Sequence, residues 1–146
     1  MRTTVVSGDG TPKTVFHGSP KTFRKFVHTD CLGFHFGTFA TAKAVIEGLG
    51  CTRGGCIRPY VLFIKRALRL PDLCNWIYDD VVDALRDVGV LNEKTVQRWN
   101  KSGRCVDIGR ALRRRGYDGI VYRNEYEGRG DSYIVFSNRQ IKAAQT

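Results

Sequence analysis

Two histidines and a late run of carboxylates are the residues of this chain best equipped for chemistry. His17 stands in Val15-Phe16-His17-Gly18-Ser19 and His35 in Gly33-Phe34-His35-Phe36-Gly37-Thr38; each is followed within two residues by glycine and then by a small hydroxyl residue. An imidazole in such a setting can donate or accept a hydrogen bond and can stack on a flat ligand, and its charge changes near neutral pH. Gly18 leaves the strand backbone open: without a Cβ, an N–H and a C=O facing the same way can clamp an amide. Glu125, Glu127 and Asp131 lie in a polar loop that ends at Ser132. Glu125 and Glu127 are two apart and face the same way on an extended chain. A carboxylate there can stabilise positive charge growing on a bound group. Each feature also has a plainer reading. Strand histidines are often buried and satisfied by neighbours, Thr38 can serve only as a helix cap, and loop carboxylates can simply balance Arg123 and Arg129.

The elements that must position these residues follow from local pattern. Thr14–His17 reads as a strand stopped by Gly18-Ser19-Pro20, and Gly33–Gly37 as a second that runs into Thr38, the N-cap of an Ala-rich helix Phe39–Leu49. Tyr60–Ile64 is an unbroken apolar run, which predicts a central strand covered on both faces. Ile77, Val81, Val82, Leu85 and Val88 recur at helical spacing opposite four aspartates, which predicts an amphipathic helix over Cys74–Val90. Shorter helices are predicted over Glu93–Trp99 and Val106–Arg114, the latter closed by Gly116. Gly119–Arg123 and Ser132–Phe136 are strands joined by a loop too long for a tight hairpin. Strands first and last with helices between give an α+β class.

Composition bounds the reading. At 146 residues the chain suits one domain, taken as residues 13–146 behind a polar leader, residues 1–12. No apolar run approaches the roughly 18 residues needed to cross a bilayer, and Met1–Pro12 has no signal-peptide core, so no membrane partner and a cytoplasmic location are expected. Cys51 and Cys56 are separated by Thr52-Arg53-Gly54-Gly55, the wrong spacing for a zinc knuckle; with an odd number of cysteines, the expectation is free thiols and no metal. The net charge of +10 draws phosphate-bearing or acidic partners. Its arginines and lysines are spread along the chain, and spacing does not choose among Arg24, Arg53 and Arg58 as phosphate contacts. A monomer is expected.

The ordered set of Val15–Ser19, Gly33–Thr38 and Gly116 through Lys142 resembles the His-Tyr-Glu class of ADP-ribosyltransferases, that of diphtheria toxin and the poly(ADP-ribose) polymerase catalytic domain, and especially its compact phage and mobile-element members. The resemblance covers most of the chain and implies a split, mostly antiparallel sheet with flanking helices. It implies an intracellular protein of a phage or bacterium, or an effector delivered to a host cytosol. It also implies cleavage of NAD+, the substrate, at the nicotinamide–ribose bond and single transfer of ADP-ribose to a protein or nucleic acid. That bond breaks through an oxocarbenium-like state, so the protein's work is to clamp the amide, hold the ring and place a carboxylate. By the resemblance His17 bonds the adenine-side ribose of NAD+, Gly18 supplies the backbone clamp with Ser19 beside it, and Phe36 follows the ring-stacking residue; the small hydroxyls of Thr38 and Thr41 can reach the nicotinamide amide oxygen. Two positions depart from the pattern. His35 stands where the family has tyrosine, and has to stay neutral beside a cationic ring. Ser132 stands where the catalytic glutamate belongs, so the acid has to come from the loop, Glu127 first, then Asp131, with Glu125 the third candidate. A catalytically inactive NAD+-, ADP-ribose- or nucleic-acid-binding relative is the alternative, and transfer of an RNA phosphate to NAD+ a more distant one.

Overall fold

The computed structural model describes residues 2–27, 32–50, 55–99 and 103–145. Among them the elements run β1 (Thr14–Ser19), β2 (Phe34–Phe36), α1 (Phe39–Gly48), β3 (Cys56–Leu62), β4 (Ala67–Arg69), α2 (Tyr78–Asp87), α3 (Glu93–Trp99), α4 (Cys105–Arg114), β5 (Gly119–Arg123), β6 (Asp131–Val135) and β7 (Ile141–Ala143). The class is α+β, and the sheet is split: β1-β3-β7 on one side, β2-β6-β5-β4 on the other. All pairings are antiparallel except β4 with β5. This is an ADP-ribosyltransferase-like arrangement.

The halves are stitched where β1 meets the end of β2. Phe16 N–H donates to the Gly37 carbonyl at 2.8 Å, and Gly37 N–H returns a bond to Phe16 at 3.0 Å. Pleat then sorts the side chains. Ile120, Tyr122, Ile134 and Phe136 join the core with Leu85, Ile108 and Leu112 of the helices, while Val121, Tyr133 and Val135 pack with Val15, Tyr60 and Leu62 between the half-sheets. Helix α1 covers the outer face of β1, and its N-cap is Thr38, whose Oγ1 accepts the Thr41 N–H at 3.1 Å. The approach is close because residue 18 is glycine: a Cβ there would run into the Ala42 carbonyl and come within 3.1 Å of Ile46 Cγ1.

Several expectations are corrected. Residues 2–12 do not form a free leader: Val5 is buried, the Thr3 hydroxyl donates to the Leu62 carbonyl at 2.7 Å, and Thr4 N–H donates to that of Ile64 at 2.7 Å. The boundary at residue 12 therefore cuts through packed chain. The helix read over Cys74–Val90 starts only at Tyr78, because Asp72 Oδ1 accepts the Cys74 N–H at 3.0 Å and Cys74 takes a left-handed backbone at φ 62°. Strand β3 lies earlier than the apolar run suggests; Tyr60 and Leu62 are buried while Pro59 and Val61 are only half-buried, so its apolar end is covered fully on one face only. Strands β4 and β7, three residues each, carry no period of their own and exist through their partners. Gly116 does close α4, at φ 87°, with Tyr117 N–H reaching back to Leu112 O at 3.0 Å. Cys31 and Cys51 lie outside the described residues, as does Arg53.

Candidate functional site

The stitch between the half-sheets roofs a small cavity of about 60 Å³. Its walls come from β1 (Phe16, His17, Gly18), from β2 and its exit (His35, Phe36, Gly37), from α1 (Thr41, Ala42, Val45), from β5 and β6 (Tyr122, Ser132) and from Glu127. An outer cavity of about 410 Å³ shares His35, Val45, Tyr122 and Glu127 with it and adds Asp72, Cys74, Asn75, Trp76, Ile77 and Tyr126. Three segments distant in sequence thus meet at one place.

Both histidines are held neutral. His17 Nδ1 lies 2.7 Å from the His35 carbonyl oxygen, and since a carbonyl only accepts, that nitrogen carries the proton. Nε2 is then left as an acceptor. The ring packs among Phe23, Phe26 and Phe36, and this burial pushes its pKa down, partly offset by the His35 carbonyl. His35 is pushed down to about 4, first by burial and then by His17, against an opposing pull from Asp72. Its Nδ1 lies 3.2 Å from the Tyr122 hydroxyl. Burial also raises the Tyr122 pKa, against a hydrogen bond with Ser132. Ser132 Oγ in turn accepts from Asn124 Nδ2 at 3.2 Å. The floor of the cavity is therefore a chain of uncharged polar groups.

Glu127 is the carboxylate among the residues lining the inner cavity. Buried Asn124 fixes the loop that carries it: its Oδ1 accepts the N–H of Tyr126 at 3.2 Å and of Glu127 at 2.8 Å, and its own N–H donates to Gly130 O at 2.9 Å. Gly128, at φ 129°, lets the loop lie against α1, where a Cβ would sit 3.0 Å from Thr41 Oγ1. Burial, and then the charge of Asp72, raise the Glu127 pKa, while a hydrogen bond with Asn124 opposes them.

Of the residues singled out in the sequence, His17, Gly18, His35, Phe36, Thr41, Glu127 and Ser132 are brought together around the inner cavity. Four others are not. Asp131 faces away and forms a two-pronged pair with Arg69 at 3.1 and 3.2 Å. Glu125 is exposed, and its N–H is tied to Asp72 Oδ2 at 2.8 Å. Ser19 is buried with its hydroxyl on the Lys21 carbonyl at 2.7 Å, and Thr38 is engaged in capping α1. Arg24 and Arg58 line a separate cavity of about 430 Å³ beside Phe23 and Tyr60. Tyr122, Asn124 and Asp72 also belong to the site, although the sequence does not single them out. Strand alternation signals Tyr122, which stands opposite Ser132 in register, and Asn124 sits where an Asx turn leaves a strand. Asp72 makes a local turn with the Cys74 N–H, but nothing local marks it as a site residue, since the Glu125 N–H that ties it to the loop of Glu127 lies 53 residues away.

A family model described as ADP-ribosyltransferase in polyvalent proteins matches residues 7–146. No curated protein and no solved structure gives a significant match to the chain.

Proposed function

Since the chain belongs to the ADP-ribosyltransferase family of polyvalent proteins, we propose that it cleaves NAD+ at the nicotinamide–ribose bond and transfers one ADP-ribose to a macromolecule, with a His-Tyr-Glu-type site in which His35 replaces the tyrosine and Glu127 supplies the acid. The observation that carries this reading is the one cavity that gathers Gly18, His35 and Glu127 at the junction of the half-sheets.

Each residue has a task its geometry suits. The open backbone at Gly18 and the Thr41 hydroxyl take the nicotinamide amide. His35, neutral well below pH 7, presents an uncharged ring to the cationic one. His17, protonated on Nδ1, offers Nε2 to a ribose hydroxyl. Glu127 faces the sugar as positive charge develops there, and nicotinamide leaves neutral with the bonding electron pair. A volume of about 60 Å³ is small beside ordinary ligand pockets, so the ring enters as the Asn124–Gly130 loop swings outward.

The test is nicotinamide release from NAD+ by the full chain. His17→Ala combined with Glu127→Gln is expected to lower the rate at least about 100-fold, the scale of losing oriented electrostatic stabilisation. Release that survives both changes removes the assignment. A second reading has its own support: Ser132, where the acid is expected, is buried and engaged by Asn124. An inactive NAD+-binding module predicts calorimetric binding of NAD+ with no nicotinamide released.

A further inference from the structure

The outer cavity combines aromatic and acidic walls on a basic chain. Trp76 and Tyr122 stand with ring centroids 4.6 Å apart, and Tyr126, 62% exposed, flanks the mouth. Asp72 and Glu127 face the same space, while no lysine or arginine is among the lining residues. Neither carboxylate forms an ion pair among the described residues. Asp72 is fixed in place by the N–H groups of Cys74 and Glu125, at 3.0 and 2.8 Å. Resting on the reading above, we propose that this cavity is the acceptor subsite and that it takes a planar organic cation, the guanidinium of an arginine on a partner protein.

The chemistry of the walls favours that occupant. A guanidinium stacks on aromatic faces and matches carboxylates with its flat fork of donors. A nucleic-acid acceptor would bring phosphates against two carboxylates. The net charge of +10 does not reverse this, because no lysine or arginine lines the cavity and several arginines are held at other places in the fold. Arg113 donates to the Phe136 carbonyl at 2.7 Å, Arg115 to that of Val90 at 3.1 Å, and Arg66 lies 4.4 Å over the Tyr117 ring.

The step balances without a further reagent. The C1′–nicotinamide bond breaks with its electron pair leaving on nicotinamide. A guanidinium nitrogen forms the new bond to C1′ and passes a proton through Glu127 to solvent. NAD+ and a guanidinium thus give nicotinamide, an ADP-ribosyl guanidinium and a proton.

The experiment offers the full chain NAD+ with agmatine, an arginine peptide, a lysine peptide or single-stranded DNA and RNA, and measures nicotinamide release and acceptor adducts separately by mass spectrometry. Adducts are expected on agmatine and the arginine peptide alone. The ratio of agmatine adduct to nicotinamide is expected to fall at least tenfold in Asp72→Asn and in Tyr126→Ala, the latter at an exposed position where folding is not at risk. Nicotinamide released with no guanidine adduct, a modified oligonucleotide, or an unchanged ratio in both variants overturns the acceptor assignment while leaving NAD+ cleavage standing. Absence of nicotinamide release altogether overturns both.

Discussion

The two faces of the four-stranded sheet are packed with different chemistry. Toward the helices the core is mainly aliphatic: Leu85, Ile108, Leu112, Ile120 and Ile134 are wholly buried. Toward the other half-sheet it is aromatic, with Phe26, Phe34, Phe36, Tyr60 and Tyr133 packed there and the His17 ring 4.9 Å from that of Phe26. Branched aliphatic chains interdigitate to crystal-like density and fix the position of strands β5 and β6. Flat rings, by contrast, meet edge to face and can enclose an imidazole. The candidate site sits at the seam, where the sheet is held by the Phe16–Gly37 bonds and by side chains. His35, Tyr122 and Ser132 of the site continue the face that carries Ile120 and Ile134, whereas His17 is enclosed by the aromatic rings. The chemistry thus draws on both packings where they meet, and the comparison can be broken from either side.

The largest stability effect is expected on the aliphatic side. Leu112→Ala removes a fully buried side chain and should cost about 2–5 kcal/mol. Urea unfolding measures it, and a loss below about 1 kcal/mol would mean that this core is not the anchor. Next comes the seam, through pH. His35 titrates near 4 in the folded chain against 6.5 as its ordinary value, so the unfolded chain takes up the proton first on acidification. The stability that neutral His35 contributes is full above about pH 6.5 and is lost as pH falls from there toward 4, on the order of 3 kcal/mol in all. His17, lowered in the same direction, adds to that slope. Comparing urea midpoints at pH 7.5 and 4.5, His35→Gln should lose clearly less than the wild type; equal losses refute the assignment. Asn124→Ala is expected to be milder for stability, about 1–3 kcal/mol, because it strands the N–H groups of Tyr126 and Glu127. Its nicotinamide release should drop further than stability explains, and Asn124→Asp, which keeps the accepting oxygen, should restore part of it. An Asp variant no better than Ala contradicts a positioning role.

Legibility of the sequence divides along the same seam. Strands around His17 and His35, the Thr38 cap and the pair β5 and β6 were readable because each is specified by residues within a few positions of one another. What could not be read is held by distant partners. Val5 is buried where Thr3 and Thr4 bond the end of strand β3 some 60 residues on, β4 and β7 borrow their partners' hydrogen bonds, and the Cys74–Ile77 segment is kept from helix by Asp72. The candidate site followed suit: Gly18, His35 and Glu127 were visible as residue types, whereas Tyr122 and Asp72 acquire their neighbours only on folding.

The smallest predicted effect separates two carboxylates that the sequence leaves as rivals. Asp131 and Ser132 are adjacent on β6 and so point to opposite faces; Ser132 lines the cavity, and Asp131 is turned to Arg69. The Arg69 and Asp131 side chains are 60% and 35% exposed, which limits the pair to less than about 1 kcal/mol. Asp131→Asn should therefore lower stability by no more than that and keep more than half of wild-type nicotinamide release, while Glu127→Gln alone loses most of it. If instead Asp131→Asn silences the protein and Glu127→Gln does not, the reacting sugar lies on the Arg69 side of the sheet, and the cavity beneath the Phe16–Gly37 stitch is a packing defect with no part in the chemistry.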